Sequence, residues 1–290
     1  MSTHHPTVLV VGAAGRFAGL VVPELVRRGA TVRGLVRNQA AAAMARGRGA
    51  AEIAIGDLRD PESLDRALAG VDGVFHIGPA FAPDETGMGL NTVAAAKRAG
   101  VRTFVFSSVI QPTFTPLANH ASKIPVEAAL FASGLRYTIL HPTNFMQNIG
   151  AAWPGVLAQG VFAEPFPKTA RVARVDYRDV AEVAAIALTE DRLAYGSFDL
   201  CAEGMPNRED IVAIMSDVLG RPITAGEPSF ADWAARASLP LDADQKRLLA
   251  LVHGHYAAHG SGGNSLTLRA LLGREPRSLR RYIEELAARA

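Results

Sequence analysis

Gly12, Gly15 and Ala18 stand three residues apart in the stretch GAAGRFAG, directly after the apolar run Val8 to Val11. That spacing suits a backbone that turns tightly at a strand exit, comes close to a pyrophosphate, and then packs a helix against the strand it left. Gly12 permits the turn, Gly15 the close approach, and the small Ala18 the packing; Ala14, Arg16 and Phe17 complete the bend. The N–H groups at the start of the following helix, and its positive dipole end, would face the phosphates.

A carboxylate near the end of the second strand accepts from the 2′-hydroxyl of NAD, whereas an arginine there accommodates a 2′-phosphate. Between Glu24 and Glu52 the chain has no acidic residue, but it has Arg37 and Asn38 at the tip of RGLVRN. Arg37 and Arg16 therefore point to NADP(H), unless both are solvated surface charges. Asp57, in GDLRD, either accepts from the adenine amino group or caps a turn before Pro61, with Leu58 beside it. Gly78 and Pro79, in HIGPAF, offer a backbone that a cofactor can approach closely.

These residues need a scaffold. Strand-length apolar runs, TVLVVG, TVRGLV, AEIAIG, GVFHIG, RTFVFSS and RYTILHP, alternate with helix-length stretches at residues 15–28, 40–46, 61–69, 86–99 and 124–133. That rhythm predicts an α/β fold, a doubly wound parallel sheet of Rossmann type. DYRDVAEVAAIAL predicts another covering helix and GSFDLC a seventh strand, after which the pattern is mainly helical: residues 208–219, 230–237, 243–258, 266–272 and 278–288. We expect residues 1–150, with about 176–201, to form the nucleotide domain, and residues 151–175 and 202–290 a smaller, mainly helical C-terminal substrate lobe. Trp153, Phe162, Phe166, Phe230, Trp233 and Tyr256 either line a pocket there or form its core.

Composition narrows the classes. The 290 residues are 49% hydrophobic and 20% charged with a net charge of +2, which argues against disorder and against nucleic acid as a partner. A single cysteine, Cys201, excludes an internal disulfide, and His253, His255 and His259 lack a nearby carboxylate or thiol, so no metal is expected. No window suits a membrane span or a signal peptide, and a cytoplasmic setting is expected.

With GAAGRFAG, LVRN, GDLRDPESLDRALAGVDGVF, AAKRAGVRTFVFSS, KIPVEAALFASGLRYTILHPTNFMQN and the late LLGREPRSLRRYI in order, the chain resembles the NmrA-like branch of the atypical short-chain dehydrogenase/reductases. The resemblance implies a Rossmann domain, bound NADP(H) and a C-terminal substrate lobe. The wider superfamily uses a Tyr-x-x-x-Lys pair; Lys123 matches the lysine, which holds the nicotinamide ribose, but Asn119 stands where the tyrosine would be. A proton would then come from Lys123, from His120 or from water, unless His120 is a cap or surface group. Ser107 and Ser108 match the position of a carbonyl-orienting hydroxyl or else satisfy local backbone. Pro142, Asn144 and Phe145 match the nicotinamide end, and His141 replaces an expected arginine. The implied function is NADPH-dependent reduction of a small apolar or aromatic carbonyl, quinone or enone by a monomer or homodimer. The alternative is a non-catalytic NADP(H)-binding redox sensor.

Overall fold

In a computed structural model, which describes residues 5–237, 239 and 241–289, every one of those apolar runs is a strand. β1 (Thr7–Val11) leads through a 3-10 turn at Ala18–Leu20 into α1 (Val21–Arg27). There follow β2 (Thr31–Val36), α2 (Gln39–Gly47), β3 (Glu52–Ile55), α3 (Pro61–Leu68), β4 (Gly73–Ile77), α4 (Glu85–Arg98) and β5 (Thr103–Ser107). Next come α5 (Ala118–Ala121), α6 (Ile124–Phe131), β6 (Arg136–Pro142), β7 (Asn144–Phe145), α7 (Gln147–Gln159), β8 (Val161–Ala163) and β9 (Arg174–Val175). The chain closes with α8 (Tyr177–Thr189), β10 (Gly196–Leu200), α9 (Arg208–Leu219), β11 (Thr224–Gly226), α10 (Phe230–Arg236), α11 (Ala243–His259), α12 (Leu266–Leu272) and α13 (Leu279–Ala287).

Two compact units result: one runs to His141 and includes Val180–Phe198, the other comprises Pro142–Asp179 and the chain from Asp199 onward. The main sheet has seven strands in the order β10-β6-β5-β4-β1-β2-β3. β1 pairs in parallel with β2 on one side and β4 on the other. The strand order therefore reverses at β1, and in such sheets ligands bind outside the carboxyl ends at that point. Val8, Leu9 and Val10 are fully buried, as a central strand covered on both faces requires. The first unit's core packs Leu9, Leu35 and Val74 of the sheet with Leu64, Leu68 and Leu130 of its helices.

Local chemistry sets the ends of these elements. Asp60 accepts from the Glu62 N–H, and Pro61, which has no N–H to leave unpaired, opens α3 as the sequence predicts. The first helix starts later than Gly15, because the Gly15 N–H donates to the Gly12 carbonyl at 2.7 Å and the chain spends residues 12–17 on the bend.

The second unit contains a helix the sequence pattern hides. Pro154 lies inside α7, where proline removes one ladder bond, and packing of Ile149, Trp153 and Val156 offsets that loss. Trp153 and Phe162 are thus core, together with Met215 and Ile283. Fully buried Asp179 accepts from the Arg277 N–H at 2.7 Å and from the guanidinium groups of Arg274 and Arg277, tying the segment ahead of α13 to the start of α8. Among the described residues no helix is long and apolar enough to cross a membrane.

Candidate active site

At the exit of β1, Gly12 adopts φ +69°, a left-handed conformation that costs a side-chain-bearing residue about 1 kcal/mol or more. A Cβ on Gly15 would stand 3.0 Å from the Gly12 carbonyl oxygen, so a larger residue would crowd the bend. The bend thus remains an open backbone cradle at the point where the strand order reverses, and it fits a dinucleotide pyrophosphate. Buried Ala18 lies 3.9 Å from the position of a Gly12 Cβ, consistent with its packing role.

The residues expected around the adenosine end are exposed or locally engaged. Arg16 and Arg37 are both exposed, and the Arg16 guanidinium lies 4.6 Å over the Phe17 ring. Asn38 caps α2, its side chain accepting from the Ala41 N–H at 2.9 Å. Asp57 accepts from the Arg59 N–H at 2.9 Å, which is the turn-capping arrangement, and its side chain is still half exposed. The Leu58 carbonyl accepts from Asn91 at 3.0 Å.

Past β4 and β5 the site becomes buried and charged. The Lys123 ammonium donates to Glu85, whose other carboxylate oxygen accepts from the Ser122 hydroxyl at 3.1 Å. Lys123 and Glu85 are 7% and 4% exposed, so this is a desolvated ion pair. Gly78 leaves room for it: a Cβ there would come within 2.8 Å of the Glu85 Oε1 atom. The Pro79 carbonyl accepts from the Ala82 N–H, shaping the loop that precedes α4. His76, on β4 beneath the pair, is buried against Phe104 and Phe106. Burial, and then the nearby Lys123 charge, push its pKa down to about 3, so its ring is neutral.

A second buried cluster lies at the end of β5. Ser107 is fully buried within the strand, and the Ser108 hydroxyl donates to Glu127 Oε1 at 2.5 Å. His141 Nε2 lies 3.1 Å from the same oxygen. With its proton committed to Glu127, the Ser108 hydroxyl presents lone pairs elsewhere, so donating to a substrate oxygen requires it to turn. Buried His120, on α5, places Nδ1 3.0 Å from the Gln111 carbonyl, which assigns its proton to Nδ1. No group of three His, Cys, Asp or Glu side chains that could hold a metal occurs among the described residues.

In the second unit, Pro142 is buried and β7 pairs with β9, Asn144 opposite Arg174 and Phe145 opposite Val175. Arg174, 2% exposed, donates to Asn144 at 3.0 Å and grips Glu164 through both carboxylate oxygens at 2.9 and 2.8 Å. The Phe145 ring meets Tyr177 edge-on at 4.7 Å.

Sequence reasoning missed Glu85, Glu127, Arg174 and Arg48, the last donating into the glycine bend. Glu127 carried a usable signal, four residues after Lys123 at the start of a helix. Glu85 lies 38 residues from Lys123, and nothing local marks it as the partner.

Residues 4–230 match the profile of the NmrA-like family. An NAD(P)H azoreductase of Xenophilus azovorans is 32% identical over 225 residues, covering 74% of this chain and 75% of that protein. Quinone oxidoreductase 2 of Escherichia coli (strain K12) is 27% identical over 79% of this chain and 80% of its own length. The crystal structure of an Escherichia coli NADPH-dependent quinone oxidoreductase complexed with NADPH superposes with a TM-score of 0.83 at 25% identity, covering 97% of this chain and 99% of that one.

Proposed function

This chain belongs to the NmrA-like family, and from that premise we propose that it is an NADPH-dependent oxidoreductase that reduces a small apolar or aromatic carbonyl, quinone or enone. One observation carries the reading: an open glycine cradle at the sheet's reversal point, in the same unit as two buried polar clusters at the ends of β4 and β5. The coenzyme supplies the hydride. Gly12, Ala14, Gly15, Arg16, Phe17 and Ala18 hold its pyrophosphate. Arg37, Asn38, Asp57 and Leu58 take the adenosine end, Gly78, Pro79 and Ser107 the stretch beyond it, and Lys123 the nicotinamide ribose. Lys123 binds ribose as an ammonium and gives a proton to the reduced oxygen; Ser108 orients that oxygen once its hydroxyl turns from Glu127. His120 is the alternative acid, with its Nδ1 proton held by the Gln111 carbonyl and Nε2 as the nitrogen that would carry the transferred proton.

The test is NADPH consumption against a panel of quinones, enones and aryl ketones, with coenzyme binding followed in parallel by calorimetry. Turnover of at least one class is expected. Tight NADP binding with no turnover across the panel would replace the reductase with the redox sensor, and no binding at all would remove the coenzyme site.

Coenzyme choice gives a sharper prediction. Arg37→Asp trades a phosphate-binding fork for a like charge, and is expected to weaken NADPH by about 10- to 100-fold while leaving NADH nearly unchanged. Equal losses for the two coenzymes in titration calorimetry would show that Arg37 does not read the 2′-phosphate.

A further inference from the structure

Gly19 is a glycine without an evident reason in the bend itself. Its φ is not positive, and the small residue that packs the helix start against β1 is Ala18. The explanation lies 29 positions along the chain: a Cβ on Gly19 would fall on the Nη1, Cζ and Nε atoms of Arg48. Arg48 is the carboxyl-end cap of α2, and its side chain reaches the glycine bend. There Nη1 donates to the Ala13 carbonyl at 2.9 Å and to the Gly15 carbonyl at 2.6 Å.

We propose that Arg48 is a positioning residue of the dinucleotide cradle, a clip that holds the bend from its carbonyl side, and that Gly19 is glycine so that the clip can lie there. The inference rests on the dinucleotide reading given above. A peptide whose carbonyl is fixed on one side has its N–H fixed on the other, so gripping two carbonyls of the bend orients N–H groups for an anion. Charge-assisted bonds of this kind are among the stronger ones in proteins. Ordering the bend beforehand removes part of the cost of ordering it on binding. Because the clip acts on the backbone shared by both coenzymes, its loss is felt equally by NADPH and NADH, unlike the loss of Arg37.

Calorimetric titration of NADPH and NADH into the full chain and its Arg48→Met, Gly19→Ala and doubly substituted variants tests this. Arg48→Met is expected to weaken both coenzymes by about tenfold, with their affinity ratio unchanged. Gly19→Ala, which evicts the guanidinium, is expected to do the same, and the double variant to be no worse than either single one. Amide hydrogen exchange of the free proteins is the second readout. The Gly15 and Gly19 N–H groups, bonded to the Gly12 and Gly15 carbonyls, are expected to exchange faster in both single variants while the strand amides of β1 stay protected. Losses that multiply in the double variant, a loss confined to NADPH, or unchanged exchange at Gly15 and Gly19 would each overturn the clip. A wild-type chain that binds neither coenzyme would overturn the dinucleotide reading instead, and the exchange data would still decide whether Arg48 orders the bend.

Discussion

Lys123→Met is expected to lower stability by about 3–5 kcal/mol and to reduce turnover by about 10²–10⁴-fold. The stability loss comes from what the substitution leaves behind. Glu85 is 4% exposed, and the Ser122 hydroxyl at 3.1 Å is its remaining donor once the ammonium is gone. An ionised carboxylate in that position has lost both its hydration and its counter-charge, which is the costly half of a broken buried ion pair. Lys123→Met combined with Glu85→Gln removes the stranded charge, so most of the stability should return in chemical denaturation. Turnover should not return, because methionine neither binds a ribose diol nor gives up a proton. The double variant therefore separates the two roles of Lys123. Recovered stability with recovered turnover would reduce the residue to a structural ion-pair partner, and a single variant as stable as the wild type would show that Glu85 is not buried as an anion.

That ion pair also marks the limit of what could be read from sequence. The sheet was legible because its strands are short apolar runs alternating with helix-length stretches, and α9 and α12 because hydrophobic spacing ends at Gly220 and Gly273, which close the helices in the left-handed conformation. The glycine bend was legible for the same local reason. Partnerships across the fold were not. Glu85 to Lys123, Arg48 to Ala13 and Arg174 to Glu164 are contacts set by the fold, and Glu85, Arg48, Arg174 and Glu164 each look like an ordinary surface charge in their own segments. α7 failed for a different reason: Pro154 and two glycines within it mimic a loop, and only the burial of Trp153 and its neighbours outweighs them. Asp57 shows a milder case, in which both readings were local and the structure displays the capping one.

Acid should destabilise the protein well above the range where carboxylates titrate, and His76 is the reason. In the unfolded chain its imidazole titrates near the ordinary value of about 6.5, whereas in the fold burial between Phe104 and Phe106, and then the Lys123 charge, hold it at about 3. Above the unfolded value both states are neutral at this site and the full stability is present. As pH falls from there toward 3, the unfolded chain takes up a proton that the folded chain refuses, so stability declines by about 1.4 kcal/mol per pH unit from this residue. Between pH 6.5 and about 4.5 the loss from His76 is about 2 kcal/mol. His253, held at about 4 mainly by burial, acts in the same direction within the second unit. His76→Leu isolates the effect. Leucine fills a similar volume, and the His76 Nδ1 atom has no hydrogen-bond partner among the described residues to be missed. Denaturant midpoints taken across this pH range should fall less steeply for His76→Leu than for the wild type, with the two curves converging above pH 7. Parallel curves, or an NMR titration placing the folded His76 ring near 6.5, would show that β4 does not bury a neutral imidazole beneath the ion pair.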